Sequence, residues 1–470
     1  MRKNREQQKK RNKRQLELFD CRKNRPEESP TGGTGKEIHP GVELLSRLER
    51  ERTLTTNITE RIVEYTNLNK AYREVVRNGG SGGVDGMEIG KFKQWYDKNI
   101  NSLRESILSE QYEVSPVRKV EIPKATGGTR VLGIPTIKDR LIQQAINGEL
   151  SNHYEPYFSA NSYGFRPGRS AHQAIEQAVQ YIKEGKEWVV DIDLENFFDT
   201  INHDRLMQRL SKTVSDKKLL RLINAYLKAG LMEGGITEQR IAGTPQGSPL
   251  SPLLSNIVLD ELDKELERRS HNFCRYADDC NIYVGSRKAG ERVMETIVKF
   301  IEKKLKLKVN RSKSGVKHCS EVKFLGYTIL SGGGIRVADK AIDRFKDKVR
   351  KITRRNRGVK FEQVIKELNL ALVGWTNYFR LANKWLGNIK ALDGWIRRKL
   401  RCYRLKQCGR KYTIVKYLRN LGCTESKSWN VVMYSQGWWN MSKKIAVGHA
   451  MSVEWFTQLG LQSFTSRMNL

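Results

Sequence analysis

What this sequence withholds narrows its chemistry before any motif is read. It has seven cysteines, an odd number, and no two of them form a Cys-x-x-Cys pair. That argues against a disulfide framework and against a tetrathiolate zinc site. Cys274 and Cys280, which flank an acidic pair inside an apolar stretch, read as small buried side chains. No run of eighteen apolar residues occurs, and the basic N-terminus (Arg2, Lys3, Arg5, then Lys9 to Arg14) has no apolar segment behind it. A membrane-spanning or secreted chain is therefore not expected. Internal repeats are absent too. The remaining shortage is of acids: 52 Asp and Glu stand against 86 Lys and Arg, a net charge of +34. This exceeds what solubility needs and calls for a polyanionic partner, nucleic acid before an anionic membrane.

What is present suffices for a large folded body, since 470 residues with 38% hydrophobic content sustain two or three domains. Residues 1–41 are basic and polar, run through Pro30-Thr31-Gly32-Gly33-Thr34-Gly35, and read as a flexible extension. From 42 to about 180, helical patterns are interrupted by a β-hairpin expected over Val117 to Pro123 and Arg130 to Pro135, with its turn at Ala125-Thr126-Gly127-Gly128. Strands alternate with helices between 187 and 335. After 341 the pattern is helical, with Trp375, Tyr378, Phe379, Trp385, Trp395 and Tyr403 interleaved with basic residues. Residues 341–470 hold 27 Lys and Arg against 7 Asp and Glu, so more than half of the excess lies in little more than a quarter of the chain. A solvated helical face would carry compensating acids at i+4. These are mostly missing, so nucleic-acid contact is the better reading.

Two acidic segments carry the chemistry. Trp188-Val189-Val190-Asp191-Ile192-Asp193 opens as an apolar strand and ends among acids and aromatics, through Asn196-Phe197-Phe198-Asp199. Phe273-Cys274-Arg275-Tyr276-Ala277-Asp278-Asp279-Cys280-Asn281-Ile282 reads as two short apolar strands joined by a tight turn with adjacent carboxylates. Neighbouring acids raise one another's pKa unless a cation sits between them. With Asp193 they make a three-carboxylate divalent metal site, of the kind that two-metal phosphoryl transfer requires. An isolated Asp-Asp pair would by itself be a solvated turn; its context says otherwise.

In that context a family becomes visible. Tyr276-Ala277-Asp278-Asp279 resembles the YADD box of reverse transcriptases, and Asp193 with Phe198 resembles their Asp-x4-aromatic motif. Asp191 competes for the role of first catalytic acid; Asp193 is preferred because it stands five residues before Phe198. Further boxes follow in the family's order: Gly82-Gly83-Val84-Asp85-Gly86, then Ile122-Pro123-Lys124 with Arg130 to Pro135, then Ser162-Tyr163-Gly164-Phe165-Arg166-Pro167-Gly168-Arg169-Ser170. Thr244-Pro245-Gln246-Gly247-Ser248-Pro249-Leu250-Ser251-Pro252 is similar to the loop that packs on the templating base and incoming nucleotide, with Ser248 where a second Gly is usual. Lys313, within Leu307 to Ser314, matches the motif whose lysine protonates leaving pyrophosphate. Phe324-Leu325-Gly326-Tyr327 is similar to the strand that grips the primer. Leu392-Asp393-Gly394-Trp395-Ile396-Arg397-Arg398-Lys399-Leu400-Arg401, preceded by Gly374 to Phe379, resembles the maturase or thumb domain of group II intron proteins. Trp375 and Trp395 there read as core packing rather than base stacking. The stretch after about 412, with Gly437-Trp438-Trp439 and Trp455 to Leu461, is similar to the short DNA-binding segment of the bacterial class C branch. With Cys423 and His449 alone after 412, an HNH-type endonuclease is not expected.

The resemblance implies an α/β right-hand polymerase with an α+β palm. Fingers and palm would span 42–340, a helical maturase/thumb 341–411, and a small basic DNA-binding segment 412–470. It implies RNA-directed DNA polymerase activity, with Asp193, Asp278 and Asp279 as catalytic and metal-binding residues for two Mg²⁺ ions, Mn²⁺ substituting. Lys124, Arg130, Phe198, Gln246 and Lys313 would bind the dNTP, with Phe198 excluding a ribose 2′-hydroxyl, and Arg397, Arg398, Arg401 and Arg404 would bind RNA. The partners implied are a group II intron RNA, an RNA template with a DNA primer, target DNA and dNTPs, with no membrane. The function is then assistance to splicing, followed by retrohoming through target-primed reverse transcription, in a bacterial cytoplasm and at the nucleoid during insertion. Two other readings stand beside it: an intron-derived reverse transcriptase recruited to DNA repair or phage defence, and a non-catalytic RNA-folding maturase, which would be expected to lose carboxylates that this chain keeps.

Overall fold

The strand that carries the first acid is apolar because both of its faces are covered. In the computed structural model, which describes residues 57–123, 128–233, 235–238, 242–384 and 386–467, this strand is central to a four-stranded antiparallel sheet. Strands are numbered along the chain: β1 (Val117–Pro123), β2 (Thr129–Ile134), β3 (Trp188–Ile192), β4 (Leu231–Glu233), β5 (Ile236–Glu238), β6 (Asn272–Tyr276), β7 (Asp279–Val284), β8 (Gly315–His318), β9 (Tyr327–Ile329) and β10 (Ile335–Val337). The central sheet runs β6-β7-β3-β8. Its register sets Asp191 opposite Asn281 and Ile192 opposite Cys280. Because side chains alternate, Val190, Ile192, Cys280 and Ile282 enter one core, while Val189, Cys274 and Tyr283 enter another.

Helices supply the cover. On one face lie α3 (Ser251–Arg268) and α4 (Arg287–Phe300), which contribute Leu253, Leu259, Val293 and Ile297 to the first core. That core also takes in α1 (Ile137–Tyr154). The other face is covered by α2 (Ala171–Lys183), through Ala174, Ile175 and Ala178. Ser170 starts α2 with a capping box, its hydroxyl accepting from Gln173 N–H while the Gln173 side chain accepts from Ser170 N–H at 2.8 Å, an arrangement that satisfies two otherwise orphaned donors.

The expected hairpin is present as β1 and β2, paired from Arg118↔Ile134 to Pro123↔Thr129, in a second sheet ordered β2-β1-β4-β5. Lys124, Trp385 and the 1–41 extension lie outside the described residues. After the β9-β10 ribbon the chain is helical: α5 (Asp339–Ile352), α6 (Phe361–Tyr378), α7 (Leu386–Cys408), then six shorter helices among the described residues. Trp375 packs edge-on to Phe464 at 5.1 Å and against Phe379 at 4.6 Å, a core position. The Asp393 carboxylate accepts from Phe464 N–H, Thr465 N–H and the Thr465 hydroxyl at 3.0, 3.1 and 2.7 Å. The last turn of chain is thereby bonded to α7, and Ile414, Val432, Phe456 and Phe464 share the second core with α5 to α7. No helix among the described residues is long and apolar enough to cross a membrane.

Candidate active site

Strand β3 delivers Asp193 just past its end, where the loop at 310–314 holds its backbone. Asn310 N–H donates to the Asp193 carbonyl at 2.9 Å, and Asp193 N–H donates to Ser314 Oγ at 2.9 Å. Lys313, from the same loop, places its ammonium 3.5 Å from Asp193 Oδ1. Two residues earlier, Asp191 lies 3.5 Å from Lys317 Nζ. Across the sheet, β6 and β7 meet at the pair Tyr276↔Asp279, so Ala277-Asp278 is a two-residue turn with Asp278 at its tip and Asp279 opening β7. The four carboxylates feel one another. Asp279 is pushed up to about 8, by burial first and then by Asp191, Asp278 and Asp193. Asp278 is raised by burial and by Asp193, against the pull of its own backbone and of Arg130 and Arg275. Burial also raises Asp191, with Lys317 opposing.

The acidic turn rests on a buried cation. Arg275, fully buried, pairs with Asp263 of α3 through Nε–Oδ1 at 2.7 Å and Nη2–Oδ2 at 2.5 Å. Its other donors reach the Ala277 carbonyl at 2.9 Å, Asn256 Oδ1 at 3.0 Å and Ser162 Oγ at 2.7 Å. Ala277 has φ +58°, a left-handed conformation that a non-glycine residue avoids unless its surroundings impose it. Gly164 presses on the same turn: a Cβ there would stand 2.2 Å from Ala277 N.

Arg130, whose charge acts on Asp278, lines a cleft of about 490 Å³ whose other walls include Phe198, Gln246, Arg140, Phe165 and Ser248. Three residues anticipated as dNTP contacts thus share one space. Arg130 Nε hydrogen-bonds Gln246 Oε1, and Gly133 N–H donates to the Gln246 carbonyl at 2.9 Å, which ties the hairpin to the loop at 244–248. Phe198 is aimed by a left-handed Asn196 (φ +46°) and held by Thr244 N–H on its carbonyl at 2.7 Å. Lys313 does not line this cleft; its ammonium lies against Asp193.

Among the described residues, no three Asp, Glu, His or Cys side chains are grouped closely enough to hold a metal ion as they stand. The donor set nevertheless suits a hard divalent cation: it offers carboxylate oxygens only, and burial, with repulsion from neighbouring carboxylates added to it, raises Asp278 and Asp279, a cost a cation removes. Lys313 and Lys317 form ion pairs with Asp193 and Asp191 at 3.5 Å.

Comparison with known proteins accords with this geometry. Residues 122–329 match the family described as reverse transcriptase (RNA-dependent DNA polymerase), and residues 342–421 match the group II intron maturase-specific domain. Protein YkfC of Escherichia coli K12 is 32% identical over 287 residues, 53% of this chain and 75% of its own length. The chain belongs to the group II intron reverse transcriptases. LtrA of Lactococcus lactis subsp. cremoris, a group II intron-encoded protein, is 32% identical over 299 residues, 50% of each chain. The putative COX1/OXI3 intron 2 protein of Saccharomyces cerevisiae is 31% identical over 289 residues, 49% of this chain and 34% of the relative. The match thus spans half or less of the two intron proteins. As a group II intron reverse transcriptase, the chain comes from a family that uses divalent metals and acts on nucleic-acid templates.

Most of the arginines read as RNA contacts in this reverse transcriptase have work inside the protein. Arg401 donates to the Met451 carbonyl from Nε and Nη2 at 2.9 and 2.7 Å. Arg398 donates to the Trp439 carbonyl at 3.2 Å and lies 3.8 Å over that indole. Arg404 lies 4.8 Å over the Tyr417 ring. Arg397, half-buried, has neither a hydrogen bond nor an ion pair among the described residues. Sequence reasoning missed the scaffold of Arg275, Asp263, Asn256 and Gly164. Its one signal was an arginine inside an otherwise apolar strand.

Proposed function

We propose that this chain polymerises DNA on an RNA template at Asp193, Asp278 and Asp279, and binds a group II intron RNA to assist its splicing and retrohoming. The observation that carries the reading is the meeting of three elements at one acidic point: the end of β3, the β6-β7 turn and the lysine loop at 310–314. Two Mg²⁺ ions held by these carboxylates would neutralise the attacking 3′-oxygen and the triphosphate, Mn²⁺ substituting. Arg130 and Lys124 bind the triphosphate from the hairpin. Phe198 closes the space a 2′-hydroxyl needs, Gln246 lies under the nascent pair, and Lys313 protonates the leaving pyrophosphate. Fingers and palm occupy 42–340, the thumb 341–411 and a DNA-binding segment 412–470, with target DNA as a further partner. The setting is a bacterial cytoplasm.

Primer extension on an RNA template with dNTPs and Mg²⁺ tests this. Wild type should extend and Asp278→Asn should lose activity by orders of magnitude without unfolding, because the metal ions these acids would hold supply most of the transition-state charge compensation. Near-normal extension by that variant would sink the assignment.

A further inference from the structure

One aromatic on the cleft wall has no task in the reading above. Phe165 is flanked by residues fixed in place. Tyr163 is buried, and its N–H donates to the Arg275 carbonyl at 2.8 Å. Gly164 is wedged against Ala277, and its carbonyl accepts from Asn256 Nδ2 at 2.9 Å. Arg166 is only 7% exposed and donates to the Ser162 carbonyl at 2.7 Å and to the Glu155 carboxylate at 2.8 Å. Phe165 itself is 51% exposed, with φ +60°. A bulky aromatic in the left-handed region is an outlier that persists only when its surroundings over-determine it, and such strain gathers where side chains act on ligands. Leaving half of a phenyl ring in water forgoes hydrophobic stabilisation as well. Both costs fall on the residue beside the glycine that braces the acidic turn, and the ring faces the same cleft as Phe198 and Gln246.

We propose that Phe165 is a stacking platform for a nucleobase of the nascent pair, which makes it a specificity-determining residue of this polymerase. A flat apolar ring fixed at the rim of a cleft takes another flat ring, and every base offers a π-face. The inference rests on the polymerase reading, and the experiment separates the two. Single-nucleotide incorporation is measured on an RNA template for wild type, Phe165→Trp, Phe165→Asn and Phe165→Gly. Asn and Gly both tolerate φ near +60°, so neither should lower the melting temperature. Both should lower kcat/KM for dNTP by about tenfold or more, the range of one lost base stack, while Trp stays within about twofold of wild type. On a template with an abasic residue at the copied position, convergence of wild type and Asn assigns the stack to the templating base; persistence of the deficit assigns it to the incoming base. Unchanged kcat/KM in well-folded Asn and Gly variants, with wild type active, overturns the proposal. A wild type that extends no primer at all removes the polymerase reading and this inference with it.

Discussion

At the scale of single residues, Asp279 has the clearest consequence. Its carboxyl sits at about 8 in the folded protein against an ordinary 3.8. Between those values the folded chain holds a proton that the unfolded chain has lost, so this group makes stability fall as pH rises through the window. In EDTA, the stability of wild type relative to Asp279→Asn should decline between about pH 4 and about pH 8, as followed by urea melts. A divalent cation added at the upper end should restore it, since the ion takes the place of the proton. A difference that does not vary with pH would show that Asp279 ionises normally. Phe198 makes a second, independent prediction at this scale. Its ring lines the cleft and packs edge-on to Phe197 at 5.3 Å, so Phe198→Val opens space without touching the acids. Discrimination of dNTP over rNTP should fall about tenfold or more; competition assays that show it unchanged would place the gate elsewhere.

At the scale of elements, the β6-β7 hairpin depends on the Arg275–Asp263 pair beneath it. Removing one partner of a buried pair strands the other charge, so Arg275→Met should destabilise the fold by about 3–5 kcal/mol. The double variant Arg275→Met/Asp263→Leu should recover much of that loss, because paired apolar replacements are often close to neutral. It should not recover primer extension, since the Ala277 carbonyl, next to Asp278, still lacks its donor. Stability and extension returning together would reduce Arg275 to a packing role. The β1-β2 hairpin was legible from its sequence almost to the residue, because a period-two pattern bounded by Gly and Pro specifies a local structure. Arg275 and Asp263 were not legible as a pair, since nothing in a sequence shows which buried acid a buried arginine will meet.

At the scale of the whole molecule, part of the basic charge of the C-terminal quarter is spent on the fold itself. Arg401 holds the Met451 carbonyl and Arg398 covers Trp439, so Arg401→Ala should lower the melting temperature and loosen residues 412–467 from α7. Arg397, free of such bonds, should behave differently: Arg397→Gln should leave melting unchanged and flatten the salt dependence of RNA binding by roughly 0.7–0.9 in log–log slope if it meets one phosphate. Filter binding across a salt series, beside thermal melts of both variants, checks this. An Arg397 variant with an unchanged slope would leave recognition to other cations.

The sequence by itself determined the order of the elements, the acids at the end of β3 and in the β6-β7 turn, and the aromatic five residues after Asp193. All of these are local: they follow from side-chain alternation, turn chemistry and spacing along the chain. Tertiary structure alone decided that Asp191 lies close enough to raise Asp279, that Lys313 reaches Asp193, and that three of the four arginines of α7 singled out in the sequence serve the protein's own carbonyls and rings. The reason is physical. A charge run shows that cations exist, but whether a guanidinium meets a phosphate or a backbone carbonyl depends on what the fold brings within about 3 Å of it.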